Sequence, residues 1–156
     1  MKILKVVTAF LFLLTFKAVA GEIVGKPSIT DGDTIKIINK RIRLYGIDAP
    51  ESGQLCKKNF KEYRCGIIAT EALVKKINKN QVRCIVQDRL DRYKRYIGVC
   101  FVKSINLNQW MVRNGHAVAY RRYSKDYIKD EDYAKKNKLG LWSGDFIYPE
   151  KWRKLN

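Results

Sequence analysis

The chain has 156 residues, 32 of them Lys or Arg and 15 Asp or Glu, which gives a formal charge of +17 at pH 7. That length holds one ordinary core and not two, and no internal repeat, low-complexity stretch or linker divides it. So basic a chain attracts polyanions such as nucleic acid, anionic lipid or acidic glycans, and charge alone does not choose among them.

The first twenty residues read as an export signal. Lys2 and Lys5 make a positive start, residues 6–16 form an apolar run too short to span a bilayer, and Ala18-Val19-Ala20 offers a cleavage site. The expected domains are a signal peptide over 1–20 and a single domain over 21–156. The mature product would be periplasmic or secreted, with no stable membrane insertion. Losing Lys2, Lys5 and Lys17 leaves it strongly basic.

Residues 23–29 read as a strand that ends in the turn Thr30-Asp31-Gly32. Residues 34–37 alternate as a second strand, and Asn39-Lys40 turns the chain. Residues 41–45 put Ile42 and Leu44 on one face, and Arg41, Arg43 and Tyr45 on the other. A polar loop follows over 52–64. Residues 68–77 carry apolar side chains at helical spacing, with Lys75 and Lys76 near the end. Residues 82–86 and 95–102 read as two strands about a charged turn. Asn106 can cap a short helix that aligns Leu107, Trp110 and Met111, and Gly115 can end it. Residues 127–138 are a polar helix, stopped by Leu139-Gly140-Leu141-Trp142. The order of three strands, helix, two strands and two helices gives an α+β, mainly β, fold class: a five-stranded OB-fold-type barrel with about three helices.

Cys56, Cys65, Cys84 and Cys100 read as two disulfides in an exported chain, although three pairings are open. Cys84 and Cys100 fall on the two strands of one hairpin, nearly equidistant from its turn, and should pair. Cys56 would then pair with Cys65 and tie down the long loop. Zinc is a weaker reading, because no Cys-x-x-Cys occurs and His116 is the only histidine.

Asp33 opens one strand and Asp48 closes its antiparallel partner, so the two can meet in space. Two carboxylates, a backbone carbonyl and water suit a hard cation such as Ca2+. Arg43 lies five residues before Asp48, and Arg95 starts the strand after the second hairpin turn. Two guanidinia can grip a phosphodiester from both sides.

Together these motifs resemble the thermonuclease (staphylococcal nuclease-like) family. The resemblance rests on Asp31-Gly32-Asp33-Thr34, on the block from Arg43 through Gly46-Ile47-Asp48-Ala49-Pro50-Glu51, and on Asp91-Arg92-Tyr93-Lys94-Arg95. Asn106-Leu107, Val112-Arg113-Asn114-Gly115-His116-Ala117 and Lys138-Leu139-Gly140-Leu141-Trp142 extend it over nearly the whole mature chain. It implies an OB-type fold and a calcium-dependent nuclease that cuts DNA and RNA, with single-stranded or denatured substrate favoured and 3′-phosphate ends left. It further implies Asp33, Asp48 and the carbonyl of Ala49 as calcium ligands, Glu51 as the group that handles the attacking water, and Arg43 and Arg95 as the pair that stabilises the transition state.

Tyr93, Tyr120 and Tyr123, interleaved with Arg121, Arg122 and Lys125, are candidates for a stacking wall, and each equally suits packing between barrel and last helix. Trp110 and Trp142 read as core, and His116 as structural or solvated. The family's best-known member has no cysteines and has Gly where Lys94 stands, and its loop does not match 52–64. The alternative function is a catalytically inactive nucleic-acid-binding module of the same fold. A monomer is the default expectation.

Overall fold

The computed structural model describes residues 21–156, so the expected export signal lies outside the described residues. β1 (Gly21–Gly25) and β2 (Pro27–Asp31) flank Lys26, followed by β3 (Thr34–Ile37), β4 (Lys40–Leu44) and the short β5 (Ile47–Asp48). The hairpin of β6 (Cys56–Lys58) and β7 (Lys61–Tyr63) precedes α1 (Cys65–Ile77). Next come β8 (Val82–Val86), β9 (Tyr96–Val102), β10 (Ile105–Asn106), α2 (Leu107–Arg113) and β11 (Val118–Ala119). α3 (Ile128–Lys136), a 3-10 turn (Gly140–Ser143) and α4 (Pro149–Leu155) complete the described chain.

Apolar alternation sets the main sheet. In β8, Val82, Cys84 and Val86 face inward while Arg83 and Ile85 face out. The strand path runs β1-β8-β9-β4-β3-β2, with β10 added on β9. All pairings are antiparallel except that of β4 with β9, which joins Ile42–Leu44 to Tyr96–Gly98. β1 and β2 are neighbours in the chain yet lie at opposite ends of this path. The sheet therefore curls into a half-barrel until one continuous segment serves both ends, and the mainly β, OB-type fold holds.

This closure splits the strand expected over 23–29. Its first half pairs with β8 and its second half with β3, so the backbone bends at Lys26. Pro27, which has no N–H to donate, opens the edge strand β2. Ile23, Ile35, Ile37, Ile42, Leu44, Val82 and Val102 fill the curl. Ala69, Leu73 and Ile77, spaced by four on α1, cover it from one side, and Leu107, Met111 and Val112 of α2 join them.

Asn106 caps α2 as expected, its side chain accepting a hydrogen bond from the Gln109 amide at 3.1 Å. Gly115 follows with φ +72°. Asn108, fully buried, donates to the carbonyls of Tyr45 (2.9 Å) and Gly98 (3.1 Å) and accepts from the Cys100 amide (3.0 Å). It ties α2 to the place where the end of β4 runs beside β9, and so to the strand that carries Arg43.

Both disulfides form, Cys56–Cys65 and Cys84–Cys100, and Cys84 stands directly opposite Cys100 in the ladder. Two features depart from expectation. The loop over 52–64 contains the β6–β7 hairpin, whose turn residues Asn59 and Phe60 both have positive φ without a glycine. A fourth helix, α4, starts on Pro149, whose missing N–H costs nothing at the first helical position. Among the described residues no helix is long and apolar enough to cross a membrane.

Candidate active site

The acids are brought together by register. Thr34 pairs with Arg43 across β3 and β4, which sets Asp33 beside the end of β4. The chain leaves β4 through Gly46, and β5 then pairs Asp48 with Val118 of β11. At Gly32 the turn comes so close to its neighbours that a Cβ would lie 2.7 Å from that of Ala49 and 3.0 Å from that of Ala69. The absent side chain lets the Asp31–Asp33 turn seat against both.

Asp33 and Asp48 are buried, at 5% and 1% exposure. Two buried carboxylates side by side need positive charge to be tolerated. Arg43 supplies it: one guanidinium nitrogen pairs with Asp33 Oδ1, and the other donates to Asp48 Oδ1 at 2.9 Å. Asp33 also accepts from the Thr34 hydroxyl (3.1 Å) and from the Ala49 amide (2.8 Å), which draws the Ala49 backbone against the carboxylate. Burial lowers the Arg43 pKa, Asp48 opposes that shift, and Arg95 adds to it, so the two guanidinia sense each other.

Arg95 is held by Asp91. Its Nε and Nη2 both reach Asp91 Oδ2 at 2.8 Å, and its backbone N–H donates to Oδ1 at 2.9 Å. Its Nη1 lies 3.4 Å from Thr34 Oγ1, and Thr34 in turn donates to Asp33. Both arginines thus converge on Asp33, one directly and one through Thr34. Burial would raise the Asp91 carboxyl, but the bonds from Arg95 outweigh it and hold it below the ordinary carboxylate value. Lys94, in the turn before Arg95, takes φ +58°, a conformation that suits glycine better.

Glu51 is partly exposed, in a turn where the Gln54 amide donates to its carbonyl at 2.8 Å. Gln54 is fully buried and donates to the Ile147 carbonyl at 2.6 Å, tying this turn to the segment that leads into α4. Asp31 accepts from the Asp33 amide at 3.0 Å. Burial raises its pKa, against the pull of Arg43, Thr34 and Arg95.

Arg153, on α4, was not expected here. Its Nη1 donates to Asp48 Oδ1 (2.9 Å) and Glu51 Oε1 (2.8 Å), and its Nη2 to Asp48 Oδ2 (3.0 Å). Burial alone would lower its pKa, but the bonds to Asp48 and Glu51 overcome that and raise it above the ordinary arginine value. A lone Arg near the end of so basic a chain gives no sequence signal of this pairing.

The tyrosines divide. Tyr120 stands edge-on to Tyr123, ring centroids 4.9 Å apart, beside a groove of about 420 Å³ that also meets Asp48, Arg122, Tyr148 and Lys154. Burial, then the nearby Asp48, raises the Tyr120 pKa. Tyr123 is exposed, and its carbonyl accepts from the Tyr45 hydroxyl at 2.7 Å. Tyr93 is exposed, and the guanidinium carbons of Arg92 and Arg95 lie 4.7 and 5.2 Å from its ring centre. Two of the interleaved basic residues are engaged in ion pairs. Arg121 pairs with the fully buried Glu131, and Arg122 pairs with Glu150 at 3.0 Å.

Trp110 packs on the main core, and Trp142 on a second cluster around Cys56, Cys65 and Leu141. His116 stacks on Trp110 at 5.4 Å, and burial lowers its pKa, in keeping with a structural role.

Residues 41–144 match the family described as "Staphylococcal nuclease homologue". The chain belongs to that family. It is 37% identical over 135 residues to the succinoglycan biosynthesis protein ExoI of Rhizobium meliloti (strain 1021), covering 83% of this chain and 70% of that one. It is 32% identical over 158 residues to an uncharacterized endonuclease of Escherichia coli O157:H7, covering 96% and 97%. A micrococcal nuclease of Shigella flexneri is 34% identical over 154 residues, covering 87% and 81%. The family and the relatives named as nucleases support a nuclease function.

Among the described residues no three His, Cys, Asp or Glu side chains converge as a metal cage. The donor set nonetheless fits a hard divalent cation. One Arg43 guanidinium contacts both Asp33 and Asp48, and two carboxylates beside a backbone carbonyl are the kind of oxygen donors that such a cation takes.

Proposed function

We propose that the protein is an exported, calcium-dependent nuclease that hydrolyses phosphodiester bonds in DNA and RNA. The observation that carries this reading is the convergence of Arg43, Asp33, Asp48 and Glu51 on one side of the barrel with Arg95 reaching Thr34 beside them. Asp33, Asp48 and the Ala49 carbonyl would hold the cation. When bound, it supplies Lewis acidity to a phosphoryl oxygen.

The protein's own groups do the rest. Arg43 and Arg95 exchange carboxylate partners for the phosphate oxygens, where negative charge grows as the transition state forms. Glu51 accepts the proton of a water whose oxygen attacks phosphorus. The bond to the 5′ oxygen breaks, that oxygen takes a proton from solvent, and a 3′-phosphate and a 5′-hydroxyl end remain. Tyr93, Tyr120 and Tyr123 offer exposed or groove-facing rings on which unpaired bases can stack, which favours single-stranded or denatured substrate. Two disulfides suit an oxidising compartment, periplasmic or extracellular. The protein acts as a monomer.

Glu51→Gln tests the assignment. It should cut turnover by about 10²–10⁴-fold, the range of a general base, while leaving denatured-DNA binding nearly intact. Normal turnover would remove Glu51 from the mechanism.

A further inference from the structure

Arg153 lies beyond residues 41–144, the stretch that matches the family, yet it makes three hydrogen bonds to two of the site's acids. Its two nitrogens cover both oxygens of Asp48. Arg43 takes a further position on Oδ1. A cation shared by Asp33 and Asp48 needs at least one of those oxygens, and its charge repels the guanidinium. Arg153 also clamps Glu51 to Asp48, so the same side chain fixes the group assigned to the attacking water.

The helix that carries Arg153 is lightly held. α4 has seven residues, of which only Pro149 is buried. Its other side-chain ties to the body include the ion pair of Glu150 with Arg122. Arg153 alone makes three hydrogen bonds from this helix to the site's acids.

We propose that Arg153 is a positioning residue that occupies the acid site in the cation-free protein, keeps Asp48 and Glu51 in place, and sets the affinity for the divalent ion by competing with it. This rests on the calcium reading above. The guanidinium replaces the missing positive charge without offering Lewis acidity, so the acids stay assembled but inert. Binding of the cation weakens the hold on α4, and loss of Arg153 makes the cation bind more tightly.

Calorimetric titration of the metal-stripped protein with CaCl2, alongside amide hydrogen exchange of α4, tests this without any turnover. Arg153→Gln should bind calcium about tenfold more tightly than the unaltered protein, within the usual range of coupling between sites. Arg153→Lys keeps the charge but cannot span both Asp48 oxygens, so its affinity should fall between the two. Lys151→Gln, a charge lost from the same helix but not from the acids, should leave affinity within about twofold, because exposed charge is screened. In the unaltered protein, calcium should speed exchange across α4.

Equal or weaker calcium binding by Arg153→Gln overturns the competition and leaves the calcium reading standing. Should Arg153→Gln fail to fold, Arg153→Lys decides, and unaltered affinity there overturns the proposal. Absence of calcium binding in every variant overturns both the competition and the calcium reading.

Discussion

Arg43 and Arg95 are alike in type but differ in their attachments. Arg43 bridges two buried carboxylates, whereas Arg95 answers to one acid, Asp91, in a partly exposed turn. Replacing either with Ala should lower the rate of cleavage by about 10²–10³-fold, the scale of removing one donor to developing charge. Only Arg43→Ala should also destabilise the cation-free protein strongly, by about 3–5 kcal/mol, because it leaves the buried Asp33 without its ion-pair partner while Arg153 still holds Asp48. Chemical denaturation and steady-state kinetics on both variants check the contrast. A near-normal rate in either would mean that the arginine is structural.

The acids and arginines that the structure brings together were legible because they sit in contiguous blocks of sequence. The Asp-Gly-Asp-Thr turn and the run from Arg43 to Glu51 name residue types and order together, and strand register then brings their ends into contact. Arg153 and Gln54 were not legible. Their partners lie 105 and 93 positions away, and neither has a local pattern.

Among the elements, the two glycine-bearing blocks that close the family resemblance prove to be one contact. Gly115 accepts a hydrogen bond from the Leu141 amide at 2.9 Å, and a Cβ on Gly140 would lie 2.3 Å from the Gly115 carbonyl oxygen. The end of α2 and the segment after α3 therefore meet backbone to backbone. Gly140→Ala should cost several kcal/mol, more than the ~1 kcal/mol typical of point changes, because the backbone itself must move. Thermal unfolding checks this, and an unchanged midpoint would show that the segment adapts freely.

Helices and strands with clear periodicity were read to within a few residues. The exceptions have physical causes. β1 and β2 read as one strand because only barrel closure requires the bend. The β6–β7 hairpin turns through Asn59 and Phe60 rather than through glycine, so its turn signal was faint. α4 is too short for its period to register, and tertiary ion pairs hold much of it in place.

Across the whole molecule, the curled sheet gathers the site's acids and arginines, while one disulfide braces the sheet itself and the other the segment beside it. Cys84–Cys100 staples neighbouring core strands, and Cys56–Cys65 pins the hairpin that follows the Glu51 turn. The Cys84–Cys100 link closes a loop of 16 residues. Cutting it should lower stability by about 3 kcal/mol, as expected for a loop of that length. Denaturation of a Cys84→Ser, Cys100→Ser variant checks this, and unchanged stability would show that packing alone holds the two strands.

The strong positive charge draws nucleic acid toward the protein, but only the acid–arginine site separates a nuclease from a module that merely binds. The decisive measurement is incubation of the protein with denatured DNA and with RNA, first in calcium and then in excess EDTA. Cleavage of both substrates in calcium, abolished by EDTA and leaving 3′-phosphate ends, is the predicted result. Binding without cleavage in any divalent metal would contradict it and identify a catalytically inactive nucleic-acid-binding module.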